Sequence, residues 1–258
     1  WLGEDGRRLD CNPYMSGALE ARDALQRLAV RKDPLKSLTS GHSGGIYNGP
    51  VFSRIWVEDP KFGVPFVSGS DILNADLSVL PLLKKSYAQS KKLAHLKLAE
   101  GMTLITCSGT IGRMAYVRPG MSGMWSSQHI MKVVPDPSRV PPGYLYAFLS
   151  SRYGVPLVVS GTYGAIIQHI EPEHIADLPV PRFGVDVEGE IDCLISSAAK
   201  DISESNRLIS LATQTLLSSI GRDDLRDDLW HQDDRALGWQ EHAVSSESFR
   251  ALNYDPRV

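Results

Sequence analysis

Two short stretches of this sequence have residue types that could do chemistry. Ser108-Gly109-Thr110-Ile111-Gly112 is a glycine-bearing turn of the kind that cradles phosphate on backbone amides. Asp10-Cys11-Asn12-Pro13-Tyr14 contains the Asn-Pro-Tyr of amino-methyltransferase motifs. Neither has the context that its chemistry needs. A phosphate cradle wants a strand, a loop and a helix, with Lys-Ser or Lys-Thr closing the loop. A methyltransferase loop needs a Gly-rich cofactor segment, and none accompanies it. Gly-x-Ser-x-Gly, Walker A and His-Glu-x-x-His are all missing. Cys11, Cys107 and Cys193 are odd in number and far apart, with no Cys-x-x-Cys or Cys/His spacing. That supports neither a zinc site nor a disulfide framework, and points to a reducing, cytoplasmic compartment. The residues therefore predict no catalytic centre, no metal and no cofactor held by this chain.

Cations offer a different chemistry. Lys84-Lys85 and Lys91-Lys92 form two basic pairs around Ser86-Tyr87. They suit phosphate neutralisation, and a solvated helix face is the plain alternative. The chain of 258 residues has a formal net charge of −3, which hides an asymmetry. Residues 1–183 hold 20 Lys and Arg against 15 Asp and Glu, while residues 184–258 hold 7 against 15. The first part can face phosphates and the second cannot.

The elements that must position these residues are short. With 42% hydrophobic and 22% charged residues, a buried core is easily built. No apolar run approaches the roughly 20 residues of a membrane span, and no signal-peptide pattern opens the chain. The chain begins with Trp1 rather than Met, as a piece of a longer protein would. Residues 15–29 read as an amphipathic helix on Leu19, Ala24, Leu25 and Leu28. Residues 41–50, with four glycines and a proline, read as a loop. Val51–Val57, Val64–Val67, Met102–Cys107, Arg113–Val117 and Ile130–Val134 read as strands bounded by Gly, Pro, Ser or Asp. Gly143–Ser151 reads as a helix behind Pro141 and Pro142. Residues 160–170 read as a second Gly-rich loop entering a strand, and the prolines of Leu178–Phe183 leave little room there for regular structure.

Beyond this the pattern changes. Ile191, Ile195, Ala198, Ile202, Ser205, Ile209, Ala212 and Leu216 follow alternating steps of four and three, a heptad seam in a helix over 186–220. At about 1.5 Å per residue it spans roughly 40–50 Å. Its small residues favour close packing on a partner helix, with a surface helix packed on its own domain as the alternative. Residues 222–235 are an acidic, solvated stretch. Leu9–Tyr14 and Leu252–Arg257 echo one another, as the starts of two copies of a long repeat would.

Taken in order, these segments resemble the DNA specificity (S) subunits of type I restriction-modification systems. Gly101–Val117 (GMTLITCSGTIGRMAYV) is similar to a recurring motif of that family, and Gly63–Ile72 to the segment before it. Pro141–Gly154 resembles the short helix that follows, Ser160–Phe183 the closing segment, and 186–220 the spacer helix. The resemblance covers nearly the whole chain, and no single motif is decisive by itself.

The resemblance implies a mixed α/β fold: an irregular β-rich target recognition domain over 1–183 and one long coiled-coil-type helix over 184–221. Residues 222–258 would form an acidic linker and the start of a second recognition domain. Family members have two such domains, each reading one half of a split DNA target, with helices setting the gap. This chain holds one, so it is either part of a longer subunit or a half-subunit that homodimerises through the spacer helix. The implied function is double-stranded DNA recognition in phage defence, without catalysis. A methyltransferase (modification) subunit carrying S-adenosylmethionine would methylate adenine, and a nuclease-translocase (restriction) subunit would cut. The expected DNA contacts are Tyr47, Asn48, Arg54, Lys84, Lys85, Lys91, Lys92, Arg113, Gln128, His129, Tyr163 and Gln168. Arg can bind guanine edges in a bidentate way, and Gln or His can read adenine or guanine. The other readings are the recognition half of a fused restriction-modification enzyme and a coiled-coil scaffold that binds no DNA.

Overall fold

The computed structural model describes residues 17–160 and 169–221. The repeat echo, the acidic stretch 222–235, Tyr163 and Gln168 lie outside the described residues. The chain divides into two compact units, residues 1–206 and 207–258.

In the first unit, a four-stranded sheet positions everything else. Its order is β2 (Ile46–Tyr47), β9 (Ile130–Val133), β6 (Thr103–Thr106), β7 (Met114–Tyr116), all antiparallel. Successive side chains of a strand point to opposite faces, and here both faces are covered. Ile105, Met114, Met131 and Val133 join one core with Tyr144, Leu145, Phe148 and Leu149 of a helix over Pro142–Leu149. Leu104, Ala115 and Ile130 join a second core with Val67, Leu98 and Met121. Burial on both sides explains why these strands read as apolar runs rather than as alternating ones.

A second sheet, ordered β3 (Trp56–Val57), β5 (Leu82–Lys84), β4 (Gly63–Val67), β8 (Trp125–Ser126), encloses a smaller core of Phe52, Phe66, Leu83, Leu93 and Trp125. The buried Trp125 indole donates to the carbonyls of Ala88 (3.0 Å) and Leu93 (3.1 Å), which tethers the lysine-bearing segment 85–93 to this core. The strand expected over Val51–Val57 shrinks to its last two residues. Only Trp56 and Val57 find a partner, pairing with Leu83 and Leu82.

Two further expectations are corrected. Leu178–Phe183 does hold regular structure, because β10 (Pro179–Pro181) pairs antiparallel with β1 (Lys32–Pro34). Leu35 N donates to Leu178 O and Arg182 N to Arg31 O, both at 2.9 Å. That parity places Pro34, Pro179 and Pro181 at the alternate positions, where an antiparallel pair asks for no N–H. The first helix forms over Ala18–Arg27 but buries Ala18, Ala21 and Leu25, leaving Leu19 and Leu28 each 37% exposed.

The long helix spans Val185–Ser219. Up to Asn206 it docks on its own domain, chiefly through polar and small residues. Glu188 is buried, Asp192 Oδ1 accepts from Gly143 N at 2.6 Å, Ala199 is buried and Asn206 Nδ2 donates to the Ala75 carbonyl. Of the apolar seam, Ile191 and Ile195 are half-buried, while Ala198 and Ile202 are exposed. In the second unit Ile209 and Leu216 are each 60% exposed and Leu217 is buried. Among the described residues, no helix is long and apolar enough to cross a membrane.

Candidate functional site

Three backbone segments bring several of the expected contact residues together. The first is the irregular stretch after β2. Asn48 Nδ2 donates to Glu171 Oε2 at 2.9 Å, and a Cβ on Gly49 would meet Gln128 Cα at 3.0 Å, so this stretch lies directly on the second segment. That second segment is the turn Ser127–His129 between β8 and β9. Gln128 is half-buried, His129 is exposed, and Gln128 Nε2 and His129 Nε2 are 3.1 Å apart. The third is the β6–β7 turn, where Gly109 and Gly112 adopt left-handed φ of 77° and 80°. Its Ser108 bridges to His169, and Cys107 N donates to the His129 carbonyl at 3.0 Å.

The electrostatics tie the same groups together. Partial burial lowers the His129 pKa, and the neighbouring Arg54 and His169 side chains lower it further. A neutral imidazole offers one donor and one acceptor, the combination that reads a purine edge. Arg54 is exposed, with its guanidinium 5.4 Å from the centroid of the Phe66 ring and within electrostatic range of His129.

The other expected residues are placed differently. Tyr47 lies inside. Its hydroxyl donates to the His95 carbonyl at 2.9 Å, and burial pushes its pKa up. Its ring meets those of His42 and His95, which stack with centroids 4.2 Å apart. Arg113 is exposed at the foot of the β6–β7 turn, where its backbone pairs with Thr106. Lys84, Lys85, Lys91 and Lys92 are all exposed on the second sheet's layer, with no ion pair on any of them among the described residues. Lys84 N donates to the Ile55 carbonyl at 2.8 Å, one residue beyond Arg54.

Sequence reasoning missed Lys132 and Cys107. Lys132 is fully buried in β9, and its ammonium donates to the carbonyls of Ser127 (3.1 Å) and Ile130 (2.8 Å). A lysine at the centre of the apolar run Ile130–Val134 was the available signal, since a solvated lysine does not belong in a strand buried on both faces.

With this geometry in hand, the chain can be set beside known proteins. No family model matches it, and no curated protein matches it. Among solved structures, the type I restriction-modification S subunit from M. genitalium aligns with 81% of this chain at 15% identity and a TM-score of 0.45. The HsdS subunit from Thermoanaerobacter tengcongensis aligns with 76% at 12% identity and a TM-score of 0.46. A chain of a type I R-M system studied for complex assembly and conformational transition aligns with 81% at 12% and 0.42. Two of these structures are type I S (HsdS) subunits and the third is a chain of a type I R-M system. The chain spans about half the length of each, covering 47%, 46% and 50% of theirs. With TM-scores this low, the functional weight rests on the chain's own residues.

Proposed function

We propose that this chain is a sequence-reading module for double-stranded DNA, acting as the specificity subunit, or half of one, in a type I restriction-modification complex. The observation that carries the reading is the convergence of Arg54, Gln128 and His129 from separate loops beside the β6–β7 turn, with Asn48 turned inward to tie the first loop to Glu171. Side chains that can hydrogen-bond to base edges are presented by Gly-rich backbone that allows close approach. The exposed lysines Lys84, Lys85, Lys91 and Lys92, which form no ion pair among the described residues, supply phosphate contacts in this reading, and Arg113 is a further base or phosphate contact. Tyr163 and Gln168 complete the set. Tyr47 acts as the buried support beneath it.

In this reading residues 1–183 recognise DNA, 184–221 form the spacer helix, and 222–258 lead towards a second recognition domain. The exposed Ile202, Ile209 and Leu216 pack on another helix, from a second copy or from the rest of a longer subunit. Catalysis belongs to partners: a methyltransferase subunit with S-adenosylmethionine, and a nuclease-translocase subunit. Phage defence in the cytoplasm is the biological setting.

The test is to co-express the chain with the neighbouring methyltransferase gene of its source and map adenine methylation across the host genome. Methylation at one split motif, lost without this chain, is the expected result. A palindromic motif identifies a half-subunit dimer, and an asymmetric one a longer subunit. A soluble complex that methylates nothing in a chain-dependent way contradicts the proposal.

A further inference from the structure

The turn Ser127–Ile130 is held from below in an unusual manner. Its four consecutive carbonyls all accept hydrogen bonds from Lys132 or Cys107, and Ser127 O accepts from Ile130 N as well, at 3.2 Å. Lys132 Nζ donates to Ser127 O at 3.1 Å and to Ile130 O at 2.8 Å. Cys107 donates from Sγ to Gln128 O at 3.9 Å and from its backbone N to His129 O at 3.0 Å. Ser127 N is anchored to Val67 O at 2.9 Å, and Ser127 Oγ accepts from His129 N at 3.2 Å. With the backbone satisfied inwards, the Gln128 and His129 side chains are turned towards the surface.

Lys132 need not be a lysine for the sheet to form. It sits on the β9 face shared with Ile130, opposite Leu104, where an apolar side chain of similar volume would pack. No carboxylate pairs with its ammonium among the described residues. Burying a cation without a carboxylate partner is unfavourable, so a lysine at this position calls for a role that an apolar residue would not fill.

We infer that Lys132 is a positioning residue, which together with Cys107 fixes the turn that presents Gln128 and His129 to base edges. The inference deepens the DNA-reading proposal and rests on it. Burial lowers the lysine's pKa to about 7, and its neighbouring titratable groups are Cys107 and His95. Either protonation state keeps at least two N–H groups for the two carbonyls, so the clamp holds across neutral pH.

The test compares the full chain with Lys132→Met and with Gln128→Ala/His129→Ala. Two quantities are read: amide hydrogen exchange over 127–130, and enrichment of a recognised sequence from a random duplex library relative to the bulk library. Expected for Lys132→Met is exchange accelerated at least about tenfold at Ser127 and Ile130, whose amides donate to Val67 O and Ser127 O, with enrichment reduced about tenfold, comparable with one mismatched base pair. Unchanged exchange overturns the clamp, whatever happens to DNA. Loosened exchange with full enrichment overturns the positioning role, provided that Gln128→Ala/His129→Ala loses enrichment. If that double variant keeps full enrichment, the reading role of the turn is itself wrong and the inference falls with it. Should Lys132→Met fail to fold, Lys132→Gln, which keeps one amide donor, carries the same comparison.

Discussion

Arg182 and Glu188 meet through two parallel hydrogen bonds, Nε to Oε1 at 3.0 Å and Nη2 to Oε2 at 2.7 Å. The same guanidinium reaches Asp33 Oδ2 at 3.0 Å and the Arg139 carbonyl at 2.9 Å. Glu188 also accepts from Phe183 N at 2.9 Å. It lies in the first turn of the long helix, where a carboxylate suits the positive helix end. One buried network therefore joins β1, β10 and the helix start.

Removing one partner of such a network leaves the other charge buried and uncompensated. Glu188→Ala is expected to cost about 3 kcal/mol in urea denaturation. Asp177→Ala breaks the exposed Lys36–Asp177 pair (2.7 Å; side chains 59% and 74% exposed) and should cost less than about 1 kcal/mol. Equal costs would show that the helix start is not held by the network.

The lysine in β9 gives a pH signature. Its folded pKa, about 7, lies below the ordinary 10.5, so between those values the unfolded chain binds more protons and stability rises with pH. From pH 7 to 9 the gain is about 2 kcal/mol at about 1.4 kcal/mol per unit of full proton uptake. Cys107 acts in the opposite sense at higher pH, since burial raises its thiol from 9.0 to about 11 and stability falls as the unfolded thiol ionises. Denaturation should therefore show a rise from pH 7 that flattens above pH 9 to a broad maximum near pH 10, and Lys132→Met should lose the rising limb. A flat profile in the unmutated chain would contradict the burial of this amine.

The register of the long helix is open to a paired test. Ala199 is 6% exposed against the domain, whereas Ile202 is 41% exposed. Ala199→Leu overpacks the contact and should cost about 1–3 kcal/mol. Ile202→Lys should change the stability of the isolated chain by less than about 0.5 kcal/mol. The reverse ranking in thermal denaturation would mean that the apolar seam, and not the polar one, faces the domain.

Phosphate contacts report through salt. Each of Lys84→Ala, Lys85→Ala, Lys91→Ala and Lys92→Ala should reduce the slope of log affinity against log salt by about 0.9 if that lysine touches a phosphate. Because all four are exposed, the variants should fold as well as the parent. Unchanged slopes in all four would move the interface elsewhere.

Strands buried on both faces were legible as short apolar runs, the helix Pro142–Leu149 from the prolines at its start, and the long helix from its heptad period. Two features were hidden because a non-local partner decides them. Pro179 and Pro181 read as breakers until β1 supplies a register in which their missing N–H groups are not needed. The apolar stripe on the long helix masks the polar face, Glu188, Asp192, Ser203 and Asn206, whose partners lie 6 to 131 residues away along the chain. At the site, Arg54, Gln128 and His129 were nameable from residue type, but their convergence was not. Tyr47 was named for its type, although its place in a sheet beside His95 sends it inside.

The most direct test of the central claim is equilibrium selection by the purified full chain from a random duplex DNA library at near-physiological salt, with sequencing of the bound fraction. The account predicts enrichment of one short motif, with Gln128→Ala/His129→Ala flattening the preference at particular positions within it. Binding to every duplex alike, or to none while the chain is folded, would contradict it.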